Sequence, residues 1–203
     1  MKCLFAAALI LLTACDKKIE CPGFDTNNLK LMPYQDNDVI TFTDGVKDIS
    51  FTVGYKEYSE AYRDECGPDG MLGRICPDCS TKAEMIAYSD ETRNNAKRLH
   101  IILETTTHYG KTDEIMIFQV LDFIGDGTSF SGLNANSNYY HDSTIHALNV
   151  NGKSYENVRV HTLDTLNSWS DFDKKHIWRV YLTNMKGIIG FSDRQTKSTY
   201  FFK

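Results

Sequence analysis

From about Asp38 to the C-terminus, apolar and polar residues alternate in short segments, a period of two that belongs to strands rather than to helices. Ile49, Phe51, Val53 and Tyr55 fall on one face, with Ser50, Thr52 and Gly54 between them. Lys97 to Thr107 is rich in β-branched residues, and Glu114 to Leu121 is an apolar run bounded by Asp and Gly turns, so both read as strands. The sharpest local signal is Asn151-Gly152, a pair suited to the positive backbone angles of a two-residue type I′ turn. It predicts a hairpin with Leu148 opposite Tyr155 and Ile145 opposite Val158, apolar pairs across the ladder. Farther on, Trp178, Val180 and Leu182 share a face, Asn184 to Gly187 turn the chain and Ile188 to Phe191 return. A last turn near Asp193 to Lys197 leads into Ser198 to Phe202, so the C-terminus is expected to be an integral strand. Helical periodicity is confined to Glu57–Glu65, where Tyr58, Ala61 and Tyr62 would group, and that stretch reads equally as a continued strand. Strands joined by short turns, without room for crossover helices, predict an all-β antiparallel meander of about ten strands, closed as an open barrel or stacked as a sandwich, in one domain over residues 38–203.

The N-terminal segment departs from this pattern. Met1-Lys2-Cys3 leads into nine apolar residues, Leu4 to Leu12, and then into the small polar run Thr13-Ala14-Cys15-Asp16. That is the order of an export signal. As a helix the apolar run would reach roughly 14 Å, less than half of a roughly 30 Å hydrocarbon core, so it is too short to span a membrane. Leu12-Thr13-Ala14-Cys15 resembles the lipobox of bacterial lipoproteins, in which the thiol is alkylated by a diacylglyceryl group and the chain is cut before the cysteine. The resemblance implies removal of residues 1–14, two or three acyl chains (palmitate among them) on Cys15, and a polar tether over residues 15–37. Two chains anchor durably where one does so only marginally. Over the whole length, the Cys21-Pro22-Gly23 start, the mid-chain cysteines and the closing Ile177-Trp178-Arg179-Val180-Tyr181 and Lys186-Gly187-Ile188-Ile189-Gly190-Phe191 runs resemble small lipoproteins of the Bacteroidetes kind. That family has no assigned activity to carry over. The expected location is the cell envelope, with the outer membrane favoured over the inner.

Charge and cysteines narrow the chemistry. Twenty-two Lys and Arg stand against 27 Asp and Glu, a formal charge of −5, which disfavours nucleic acid and anionic lipid surfaces as partners. With Cys3 in the signal and Cys15 under lipid, Cys21, Cys66, Cys76 and Cys79 remain. In an exported protein an even number of thiols predicts disulfides, here two, with three connectivities that the sequence leaves open. Cys76-Pro77-Asp78-Cys79 also has the spacing of a redox pair or half a zinc site, but no βαβ unit surrounds it and no second close pair completes a zinc ribbon.

Recognised catalytic signatures are absent: no G-x-S-x-G, H-E-x-x-H or phosphate-binding glycine loop occurs. His100 and His108 share a strand face but stand roughly 26 Å apart, too far to share a metal. His141, Asp142 and His146 are closer and are weighed as an ion site against plain surface residues. Asp122 to Gly127 is weighed as a calcium turn, without EF-hand spacing. Trp169, Asp171 and Asp173 would make a carbohydrate-type platform or a solvated loop. The expectation is a lipid-anchored envelope protein with a non-catalytic binding or structural role and no cofactor or metal. Its rivals are a carrier of an apolar ligand inside a barrel and a thiol oxidoreductase using Cys76 and Cys79.

Overall fold

The computed structural model describes residues 25–59, 62–63, 79–89, 98–108, 111–128, 140–163, 176–184 and 186–203. A 3-10 helix, Thr26–Leu31, precedes twelve strands: β1 Val39–Thr43, β2 Asp48–Tyr58, β3 Tyr62–Arg63, β4 Cys79–Ser89, β5 Arg98–His108, β6 Lys111–Val120, β7 Phe123–Thr128, β8 Tyr140–Val150, β9 Lys153–Leu163, β10 Ile177–Thr183, β11 Gly187–Asp193 and β12 Thr199–Phe202. Each pairs antiparallel with its neighbours in the single sheet β7-β6-β5-β4-β2-β1-β12-β11-β10-β9-β8, while β3 prolongs the line of β2 along β4. The sheet is open. Two meanders in chain order are joined at its centre, where β1 lies against β12 with Phe42 opposite Phe202. The expected all-β antiparallel architecture is thus present, and the C-terminal segment is a central strand.

Alternation along each strand explains how this sheet makes one core. Ile40 and Phe42, Phe51 and Val53, Leu99, Ile101 and Leu103, and Met116, Phe118 and Val120 all turn to one side and meet Val180, Leu182, Ile188, Phe191 and Tyr200 from the other meander. The sheet therefore curls round its own apolar face. Rings fill the interior: Phe42 stands edge-on to Phe191 at 5.3 Å and to Phe51 at 6.0 Å, and Phe191 stacks on Tyr200 at 5.3 Å. Aromatic side chains bury large apolar areas and gain further from such offset and edge contacts.

Both ends of the curl are tied down. At one end the segment before β1 crosses the strands: Asn28 donates to Glu114 at 3.2 Å, Lys56 Nζ donates to the Met32 carbonyl at 2.7 Å, and Tyr34 donates to the Ile188 carbonyl at 3.4 Å. Leu31, Met32 and Tyr34 are buried in the core. The tether expected over residues 15–37 is therefore corrected at its C-terminal side, where apolar side chains at residues 31–34 make the segment part of the domain; residues 15–24 lie outside the described residues. At the opposite end the Asp122 carboxylate accepts hydrogen bonds from the backbone N–H groups of His176 and Ile177.

Three local departures from simple alternation re-aim side chains. A bulge between Val53 and Tyr55 pairs Val53 with Ala87 but Tyr55 with Ile86, so Tyr55 leaves the face of Phe51 and Val53. The expectation that it shares their face is overturned. A register shift between Ile177 and Arg179 gives Ile177 the core position expected of Trp178. Trp178 stays half-buried outside the core, with the Arg179 guanidinium 3.9 Å from its ring. In the β8–β9 hairpin, Asn157 sits at φ +51°, and this left-handed residue brings Tyr155 and Val158, three apart, into one apolar cluster. The hairpin register itself is as the sequence predicts, with Leu148 opposite Tyr155, Ile145 opposite Val158, and Asn151 and Gly152 at φ +50° and +71°. Of the ambiguous stretch Glu57–Glu65, Glu57, Tyr58, Tyr62 and Arg63 are strand, in β2 and β3.

Candidate functional sites

The β8–β9 register that pairs Ile145 with Val158 also sets Asp142 opposite His161. The two side chains meet, with Nδ1 of His161 2.7 Å from Oδ1 of Asp142. Because a carboxylate only accepts, Nδ1 is the donor in this contact, and Nε2 is the ring nitrogen left over. That nitrogen is buried and has no hydrogen-bond partner. The ring is 5% exposed and stands edge-to-face with Phe118 at 5.3 Å, so it belongs to the core on which β6 and β9 converge. A carboxylate-oriented imidazole has the form of a general base, but no hydroxyl or thiol is bonded to its free nitrogen, and the pair is not a hydrolytic triad. Of the three residues singled out as an ion site, Asp142 turns to His161, His146 is exposed on β8, and the side chain of His141 lies outside the described residues. His161 escaped notice because it sits on the neighbouring strand. Continuing the hairpin register to Asp142 was the signal that would have found it.

A second polar cluster occupies the outer face of β4 and β5. Glu84 binds Lys82 Nζ through one oxygen and His100 Nε2 through the other, both at 2.7 Å. Burial raises the Glu84 carboxyl, but the hydrogen bonds from Lys82 and His100 outweigh it and hold the group below the usual carboxylate range. Burial lowers His100 below the ordinary imidazole value, against the pull of Glu84. At neutral pH the ring is therefore uncharged, and its Nε2–H donates to Glu84 as a hydrogen bond rather than as an ion pair. The bulged Tyr55 lies beside this carboxylate, and its hydroxyl is raised first by burial and then by Glu84. His100 and His108 lie on one strand, β5, as expected, eight positions apart.

Among the described residues, the remaining candidates do not assemble a centre. Asp122 accepts from the backbone N–H groups of His176 and Ile177, and Phe123–Thr128 is a strand. Cys79, 3% exposed at the start of β4, has a disulfide-bonded sulfur. Cys15, Cys21, Cys66 and Cys76, like Trp169, Asp171 and Asp173, lie outside the described residues. Among the described residues, no three His, Cys, Asp or Glu side chains converge as metal ligands, and no helix is long and apolar enough to cross a membrane. No protein-family model, no curated protein and no solved structure matches the chain.

Proposed function

We propose that this chain is a lipid-anchored protein of the cell envelope whose β domain acts by binding or structural association rather than by catalysis. The observation that carries the reading is the run Leu12-Thr13-Ala14-Cys15 behind nine apolar residues, a pattern whose chemistry needs small side chains at the cleavage site and a thiol to alkylate. The rivals each ask for a feature that the domain fills otherwise. A carrier needs an internal cavity, and the rings of Phe42, Phe118, Phe123, Phe191 and Tyr200 stand where the ligand would lie. A thiol oxidoreductase wants its cysteine pair at a helix start that favours the thiolate, and Cys79 opens the strand β4. The remaining cysteines are read as structural bridges.

The test is metabolic labelling with an alkyne analogue of palmitate, followed by membrane fractionation. The native chain takes up the label and sediments with the envelope. Cys15→Ala loses the label and its membrane retention. Equal retention of the unlabelled variant would refute the anchor.

A further inference from the structure

Strand β10 enters the sheet through the bulge at Trp178, and its register then sets Arg179 opposite Ser192 of β11. The Ser192 hydroxyl meets those of Tyr181 at 3.2 Å and Thr199 at 2.9 Å. Val180 and Phe191, the next residues along the two strands, turn into the core, so Arg179 and Ser192 share the outer face. Two positions beyond Ser192, Arg194 returns to that face and continues the ladder, its N–H donating to the His176 carbonyl at 2.8 Å. Arg179 and Arg194 are therefore diagonal neighbours, roughly 7–8 Å apart on the backbone and within reach of one another through their long side chains.

This cationic pair is left without acids in a chain where acids are in excess, 27 Asp and Glu against 22 Lys and Arg. Among the described residues neither guanidinium makes an ion pair, and Nε of Arg179 and Nη2 of Arg194 are buried with no hydrogen-bond partner. The carboxylates of the flanking turns and strands are committed elsewhere: Asp193 to the amides of Gln195 and Thr196, Asp122 to those of His176 and Ile177, and Asp142 to His161. Like charges set side by side across a ladder destabilise it, a cost that a bound anion would relieve.

The heads are also held in place. The Arg179 guanidinium lies 3.9 Å from the centre of the Trp178 ring, which fixes its plane. Both side chains stay half-exposed, so the part of each head that is not buried faces solvent as N–H donors. A guanidinium has five donors and no acceptor, and its planar fork matches the paired oxygens of a carboxylate or a phosphate. A cation would be repelled here, and a neutral ligand would leave both charges uncompensated.

We propose that the outer face between Arg179 and Arg194, where β10 and β11 begin and end, binds an oxyanion, the carboxylate or phosphate group of a small ligand, held by both guanidinium groups. This deepens the binding role proposed above but needs no lipid on Cys15, so the two fail separately.

The experiment is a titration of the 15N-labelled full chain, in a non-ionic detergent at constant ionic strength, with inorganic phosphate and with acetate, followed through the Nε–Hε resonances of Arg179 and Arg194. Both resonances should shift together and saturate with at least one of the two anions, and the tighter anion identifies the head group. Arg194→Gln should weaken that binding about tenfold or more, and Arg179→Lys, which keeps the charge but loses the fork, should weaken it several-fold. Lys30→Gln, which removes one positive charge at the other end of the curl, should leave it unchanged. No saturable shift with either anion, a shift of one arginine without the other, or equal weakening by Lys30→Gln overturns the assignment.

Discussion

Two glycines with similar backbone angles show how much a single residue's surroundings decide. Gly152 at φ +71° has open space where a Cβ would stand, whereas at Gly187, φ +64°, that atom would lie 2.1 Å from the Leu31 carbonyl oxygen. Gly152→Ala should therefore cost only the left-handed conformation, about 1–2 kcal/mol. Gly187→Ala adds backbone overlap and should cost about 3–5 kcal/mol in all. Urea unfolding of the two variants side by side checks the difference; equal losses would mean that the segment before β1 is not packed on Gly187. His100 carries the pH dependence argued at this scale. Its folded-state value is depressed by burial, with Lys82 and Arg98 acting in the same direction and Glu84 against it. The unfolded chain then binds the proton more readily, so the stability contribution is intact above the ordinary value of 6.5 and is lost as pH falls through the lower folded value. Glu84, also depressed, extends the loss to more acid pH. Melting temperature followed downward from pH 7 should fall, and His100→Gln should flatten the first part of that fall.

At the scale of elements, what the sequence disclosed depended on whether one local cause set the geometry. Asn151-Gly152 fixes the β8–β9 hairpin by its own backbone preference, so the register was readable down to Leu148 opposite Tyr155. The bulges at Tyr55 and Trp178 were not readable, because an extra residue in one strand answers to the register of the partner strand and leaves the period-two pattern intact in sequence. The same reason hid the Asp142–His161 pair, two residues that meet only once the ladder is continued. The segment at residues 31–34 looked like a tether because its neighbours are polar, and its burial depends on distant strands. Among these elements β12 carries the greatest consequence. Deleting residues 199–203 parts β1 from β11 in the middle of the sheet and should leave no cooperative unfolding transition by circular dichroism. Lys203→Ala, which removes only an exposed ion pair with Asp48 at 2.7 Å, should unfold with the native chain.

For the molecule as a whole, an open sheet holds its curl only if side chains from its two halves meet inside. Phe118 on β6 stacks with Phe123 at 5.9 Å and touches His161 on β9, so it bridges strands near opposite ends of the sheet order. Phe118→Ala should cost about 3–5 kcal/mol in denaturant unfolding. Combined with His161→Ala, the loss should fall short of the sum of the single losses. Additivity would mean that the halves are held elsewhere. The overall class and the strand sequence were legible in the alternation from Asp38 onward. The sheet order was not, because the junction of β1 with β12 is a contact between the two ends of the domain that no turn announces.

The crossing of the segment before β1 over Gly187 bears on how the fold carries load. A tug on the chain ahead of residue 25 is passed through this strap to β1, which lies at the middle of the sheet with β2 on one side and β12 on the other. Force along that strand loads two rows of hydrogen bonds in shear at once, whereas a pull on β7 or β8 would unzip a margin bond by bond. A sheet pulled through its central strand resists unravelling better than the same sheet pulled at its rim.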